Sequence, residues 1–347
     1  MTWLTWRQFR TQAITAAAVL AAFAILLAAT GPHLASLYAT SKITGCHGFA
    51  CQPRVNAFLG QLAGPYPVVY LLGIGLILVA PAIIGIFWGA PLIARELETR
   101  TYTLAWNQSV TRTRWLAVKL VLTGLAAMAV TEALSLIYAW WASPITKAIG
   151  LGSGGGLPKL FSQGLFSSVN FATHGIVPLG YAAFAFTLAT AAGALTRRTV
   201  PAMAITLAVF AAAQLAMPLW VRPHLVPPSH TIAAIDAADL AYGDLTADAV
   251  PGHPGAWILS GQALNPAGQP VSTVPAACAG AGSSGQKGGA AALTPAQCMQ
   301  SRGYREAITY LPTSRYWPLQ AIETAIFLAL ALALAGFCFW RLNRRRT

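Results

Sequence analysis

Acidic residues are scarce in this chain: Asp and Glu together number nine in 347 residues, and charged residues of both signs make up only 9%. Soluble domains carry about a quarter charged residues, so a water-soluble globular fold is excluded. The 56% of hydrophobic residues and the mean hydropathy of +0.58 point instead to an all-α polytopic membrane protein. The sequence also lacks GxxxxGK[ST], HExxH and GxSxG, so it carries no phosphate loop, zinc-protease helix or hydrolase elbow of its own. The glycine tract at 150–156, GLGSGGG, has no following lysine and hydroxyl to hold a nucleotide and reads as a flexible outer connection between Ser143 and Ala172. Cysteines number only five, and His224, His230 and His253 are too scattered to ligate a metal.

What is present is a succession of apolar runs. Six have spanning length: Ala13 to Thr30, Tyr66 to Ile93, Trp115 to Ala142, His174 to Leu195, Val200 to Val221, and one following Arg315. The first resembles a signal sequence, but its length suits a retained span. The formal charge of +13 sits mainly at the ends of these runs, with no aromatic-interleaved basic groove, so it orients the chain in a membrane and no nucleic-acid partner is expected. Six spans put thirteen of the 22 Lys and Arg residues in the short inner segments, including Arg197 and Arg198 in the turn between spans four and five and Arg341, Arg344, Arg345 and Arg346 in the tail. Both termini are therefore expected in the cytoplasm of a cell-membrane protein.

Four regions follow. Residues 1–12, with Trp3, Trp6 and Phe9 beside Arg7 and Arg10, read either as an interfacial helix or as a basic flank. Residues 13–221 hold five spans, with Pro81 expected to kink the second. Residues 222–315, rich in Pro, Gly, Ala and Ser, read as a small extracytoplasmic domain, with a hairpin turning at Asn265 to Gly268. Residues 316–347 are the sixth span and basic tail. Cys46 with Cys51, and Cys278 with Cys298, are expected to be disulfides on the outer face, while Cys338 reads as a packing residue. Glu132 in the third span, and Gln320 and Glu323 on one face of the sixth, lie in the outer half of the membrane. Intramembrane ionisable groups of this kind mark either a substrate path or a tie between helices.

The most informative stretch runs from Ala94 to Lys119, ARELETRTYTLAWNQSVTRTRWLAVK. Glu96 precedes Arg100 by four residues, the favourable order for a helical ion pair, and Leu97, Thr101 and Leu104 fall on an adjoining face. A short amphipathic helix on the cytoplasmic side is the expectation. The acidic residue before a Thr-containing turn, the Leu-bearing segment, Ser109-Val110-Thr111-Arg112 and Trp115-Leu116-Ala117-Val118-Lys119 together resemble the coupling segment of ABC-2 type transporter permeases. The family often has Gly-Thr where this chain has Arg100 and Thr101. The N-terminal dozen residues resemble the family's connecting helix, and the approach to the sixth span looks like an actinobacterial branch.

The resemblance implies the permease subunit of a type V exporter-like ATP-binding cassette transporter, with no catalytic site of its own. ATP and Mg would belong to a separate ATPase subunit, and a second permease copy or homologous partner would complete the complex. Coupling would run through residues 94–114: Arg95, Glu96, Leu97, Glu98, Arg100, Thr101, Leu104 and Trp106, with the two acids meeting basic groups of the ATPase and the leucines giving apolar contact. An exported hydrophobic or amphipathic compound is the favoured cargo. The alternatives are a secondary transporter or channel using Glu132 and Glu323 as ion or proton sites, for which no internal repeat is seen, and a non-transporting membrane sensor or assembly protein.

Overall fold

A computed structural model describes residues 2–43, 51–62, 64–99, 111–151, 166–235, 250–253, 255–279 and 294–344. Among these described residues, six helices are long and apolar enough to cross a membrane. In lipid every backbone polar group must be satisfied within the segment, and these runs of Ala, Leu, Ile and Val do so as helices.

Helix α1 (Thr2–Thr40) runs unbroken through Gln12 and Pro32. The segment 2–12, read from sequence as an interfacial helix or a basic flank, is helical and continuous with the first span, because nothing between Thr11 and Ala13 breaks the backbone pattern. Phe9 packs edge-on to Trp88 at 4.8 Å, and Gln12 Nε2 donates to the Phe87 carbonyl at 2.9 Å. After α2 (Gln52–Gln61) comes a composite rod: α3 (Tyr66–Ile84), a π turn (Gly85–Gly89) and α4 (Ala90–Glu98). Pro81 withdraws one donor from this ladder, and the wide turn follows one helical turn later; both are recognised causes of helix bending. The amphipathic segment expected after the second span thus begins as a direct extension of that span, and residues 100–110 lie outside the described residues.

Helix α5 (Arg112–Leu151) passes Ala142 and Pro144, so part of the expected loop after Ser143 is helix. The tract from residue 152 to 165 lies outside the described residues. A short helix, α6 (Ser168–Thr173), leads into α7 (Val177–Thr196), and the Arg197–Arg198 turn leads into α8 (Thr199–Ala216), which ends in a π turn (Met217–Val221) and a 3₁₀ turn (Arg222–His224). Arg197 terminates α7 in the left-handed conformation, φ 55°, with its N–H on the Gly193 carbonyl.

The segment before the sixth span forms an antiparallel four-stranded sheet of order β1-β4-β2-β3, from β1 (Ser229–Ala234), β2 (Trp257–Leu264), β3 (Pro270–Val271) and β4 (Arg305–Leu311). The β2–β3 pair turns through Asn265 to Gln269, while β4, bearing alternately buried residues, is central. Cys278 and Cys298 form a disulfide that ties the turn at Ala276–Ala279 to α9 (Pro295–Ser301), whose start is closed by a reciprocal Thr294–Gln297 capping box. The hairpin expected in this region is thus one pair of a four-stranded sheet among the described residues, while the chain as a whole is mostly helical. From β4 the chain enters α10 (Tyr316–Asn343).

Helix α7 is the axis of the bundle. It packs against α3, α4, α5, α8 and α10, and most of its Ala-rich surface is buried. Without a hydrophobic force between helices in lipid, such packing depends on close approach over small residues. A Cβ at Gly89 would lie 2.6 Å from the Phe186 carbonyl oxygen, and one at Gly193 would lie 2.9 Å from the Ala90 oxygen. Phe9, Trp88, Trp115 and Cys338 cluster at the end of the bundle that holds both termini, whereas Phe171, Tyr316, Leu319 and Leu311 cluster at the sheet end. Gly89→Val should force α4 from α7 and cost about 1–3 kcal/mol, read as a lower unfolding temperature of the detergent-solubilised protein. Gly75→Ala, at a position with nothing within 4 Å of the new Cβ, should not lower it.

Candidate functional site

At the termini end, the last turn of α4 is tied to two other spans. Glu96 pairs with Lys119 of α5 instead of with Arg100, which lies outside the described residues. Lys119 is buried and stands over the Trp115 ring, 4.7 Å from its centre. Two residues after Glu96, Glu98 reaches α8: Oε1 accepts the Thr199 N–H at 2.7 Å and Oε2 accepts the Thr199 hydroxyl at 2.8 Å. It thereby caps the start of α8 from a different helix, satisfying a donor that a helix N-terminus leaves free. The backbone and then the hydroxyl hydrogen bond from Thr199 hold the Glu98 carboxyl below its ordinary range, with the Arg198 charge adding to them.

The two acids expected to face an ATPase therefore have partners within the chain, because the extension of α3 through α4 carries them between α5 and α8. Arg95 is exposed; Thr101, Leu104 and Trp106 lie outside the described residues, as does the side chain of Leu97.

At the sheet end, Arg222 and Glu323 form a fully buried pair, with Nε to Oε2 at 2.9 Å and Nη2 to Oε1 at 3.1 Å. Tyr181 donates its hydroxyl to Oε1 at 2.7 Å, and the guanidinium lies 4.2 Å from the Phe171 ring centre. Arg222 leaves the fifth span and Glu323 lies in the second turn of the sixth, so the pair clamps the two points where the sheet joins the bundle. Gln320, one turn away, caps α7: its Oε1 accepts the N–H groups of Ile176 and Val177, each at 3.1 Å, while Nε2 donates to the Phe171 and His174 carbonyls at 3.0 and 2.9 Å. Gly175 makes this approach possible. Its φ is +75°, and a Cβ there would stand 2.7 Å from the Gln320 oxygen.

Helix α6 is held from three sides. Tyr70 donates to Asn170 Oδ1 at 3.1 Å, Ser135 donates to the Thr173 carbonyl at 2.9 Å, and the His174 ring approaches Tyr138 with centroids 5.3 Å apart. His174 Nδ1 donates to the Asn170 carbonyl, which can only accept, so the buried Nε2 carries no proton in the neutral ring and has no partner among the described residues. Glu132, half-buried on α5, likewise has an enclosed Oε2 with no partner among the described residues, and no hydrogen bond joins it to Gln320 or Glu323. Cys51 is buried and disulfide-bonded; Cys46, its expected partner, lies outside the described residues. Cys338 is buried and free.

Sequence reasoning named Gln320 and Glu323 but missed Arg222, Tyr181 and Thr199. The available signal was a lone arginine at the outer end of a span, opposed in the other re-entering span by a glutamate.

Among the described residues, six long apolar helices around a buried small-residue axis define a multi-pass membrane protein. The sequence model of the ABC-2 membrane transporter related family matches residues 17–222, more than half of the chain, and the chain belongs to that family. The match ends at Arg222, before the sheet and α10. Neither a curated protein nor a solved structure matches the chain.

Two outcomes follow from these ties. Arg222→Met or Glu323→Gln alone should cost about 3–5 kcal/mol of stability by stranding the buried partner, whereas Arg222→Met combined with Glu323→Leu should recover most of it; thermal unfolding of the three variants measures this. For Glu98, whose folded pKa is depressed, the stabilising contribution is complete above the ordinary carboxylate range and is lost as pH falls through the lowered value. The stability gap between the parent and Glu98→Gln should accordingly be widest at neutral pH and close in acid, as read by unfolding temperature across a pH series.

Proposed function

We propose that this chain is the transmembrane subunit of a type V exporter-like ATP-binding cassette transporter, moving a hydrophobic or amphipathic compound out of the cell with energy supplied by a separate ATPase subunit. ATP and Mg belong to that subunit, whose partner requirement fits the absence of a phosphate loop in this sequence. A second permease copy or homologous partner completes the membrane part. The concentration of basic residues toward the termini end supports a cytoplasmic position for that end and an extracytoplasmic one for the sheet.

The observation that carries this reading is the pair of ties at the end of α4: Glu96–Lys119 and Glu98–Thr199 join spans three and five to the base of the segment whose sequence resembles the family's coupling segment. A push on this segment by a closing ATPase pair would be delivered to two spans at once and through α4 to α7, the form of motion expected of packed helices that shift as bodies. Glu96 and Glu98 then serve as internal linkages, and ATPase contact falls to the residues that follow α4. Glu323, paired with Arg222 and hydrogen-bonded by Tyr181, is read as a tie between helices, which supports this reading over a gradient-driven carrier that needs a free carboxylate.

The test is copurification of the tagged chain, identification of the bound ATPase and reconstitution of both in vesicles. Transport is expected only with hydrolysable ATP, and Glu98→Gln should leave the ATPase bound while lowering transport per ATP hydrolysed. Transport by the chain alone, driven by an ion gradient without ATP, would overturn the proposal.

A further inference from the structure

Between α1, α4 and α5 at the termini end lies a cavity of about 520 Å³, a size within the range of small-molecule sites. Its walls differ in character. Phe9, Trp88 and Leu92 form an apolar side, while Arg95, Glu96 and Lys119 form a charged one. Glu96 cancels the charge of Lys119 but engages only one of the three donors that an ammonium group carries. Arg95 is exposed and its guanidinium has no ion-pair or hydrogen-bond partner among the described residues. The charged wall thus has an excess of one positive charge with donors to spare. Further along α1 the large apolar residues Ile14, Val19 and Ile25 are exposed on the outside of the bundle, the surface that faces acyl chains in a membrane.

We propose that this cavity binds an anionic phospholipid, its phosphate group meeting Arg95 and Lys119 and its acyl chain leaving past the Phe9, Trp88 and Leu92 wall along α1. The chemistry recognised is a monoanionic phosphate carrying an apolar tail; a zwitterionic head would bring a second cation against Arg95, and a phosphate without a tail would leave the apolar wall wet. Because the headgroup lies against the Glu96–Lys119 pair, an occupied site stiffens the junction between α4 and α5. The inference does not depend on the transport reading, since binding is measured on the isolated chain.

The test titrates the purified full-length protein in neutral detergent with short-chain phosphatidylglycerol, with phosphatidylcholine of the same chains, and with glycerol phosphate, counting bound molecules by native mass spectrometry. Phosphatidylglycerol should fill one site about tenfold more tightly than phosphatidylcholine, and Arg95→Glu should remove that preference without lowering the lipid-free unfolding temperature. Arg54→Glu, at an exposed position on α2 away from the cavity, should keep the preference. Equal binding of the two lipids, an unchanged preference in Arg95→Glu, or an equal loss in Arg54→Glu would overturn the site. Glycerol phosphate binding as tightly as the lipid would overturn the lipid assignment in favour of a free anion.

Discussion

The close approach of backbones to α7 is the constraint on which the rest of this bundle depends. In a bilayer, apolar side chains gain little by leaving lipid for one another, so helices associate where small residues let main chains come near. Gly89 and Gly193 bring α4 to within contact of α7 at the termini end, and Gly180 admits Thr324 and Phe327 of α10 further along. Once α7 is enclosed in this way, α3, α5 and α8 have little freedom to rotate about their own axes. Polar groups on them are then held in fixed relation, and both ends of the bundle inherit defined pairings from one packed helix.

Those pairings share a form. Helices α7 and α8 each begin with free N–H groups, and in each case the acceptor comes from another span: Gln320 of α10 for α7, Glu98 of α4 for α8. A cap supplied by another helix couples its position to the one it closes. The buried Arg222–Glu323 pair adds a stronger condition, because separating the two charges in an apolar interior would leave both uncompensated. Its contribution is less to net stability than to fixing where the sheet is rooted, since it joins the exit of α8 to the second turn of α10. The Glu98 contact is exposed and adds little to stability, but it lies where a displacement of α4 must be passed to α8. The fully buried tie thus lies at the sheet end, and the more exposed one at the termini end.

Membership of the ABC-2 membrane transporter related family covers the first five spans and stops at Arg222, the residue that clamps the remainder onto them. The sheet and the sixth span are attached to the family body through side chains on both sides of that boundary. Glu323 and Gln320 contact Arg222, Tyr181, Ile176 and Val177, all within the matched region. The insertion is thus part of the bundle's own packing at its base, although its strands build a small separate core around the Cys278–Cys298 disulfide.

The sequence by itself determined the six apolar helices, the hairpin turning at Asn265 to Gly268 and the nearness of Cys278 to Cys298, because each is written in periodicity, turn chemistry or short separation along the chain. It also marked Gln320 and Glu323, since polar groups in an apolar run stand out without any knowledge of neighbours. Only the tertiary structure decided what those groups touch. Glu96 had a suitable local partner four residues ahead in Arg100, yet it meets Lys119, and Glu98 meets Thr199, because the π turn and α4 extend the second span and set the rotation of both carboxylates. Arg222 and Glu323 are 101 residues apart and pair only because α7, α8 and α10 converge. Local pattern reports which face of a helix is polar; the partner that face receives depends on helix rotation and spacing, which close packing around α7 alone establishes.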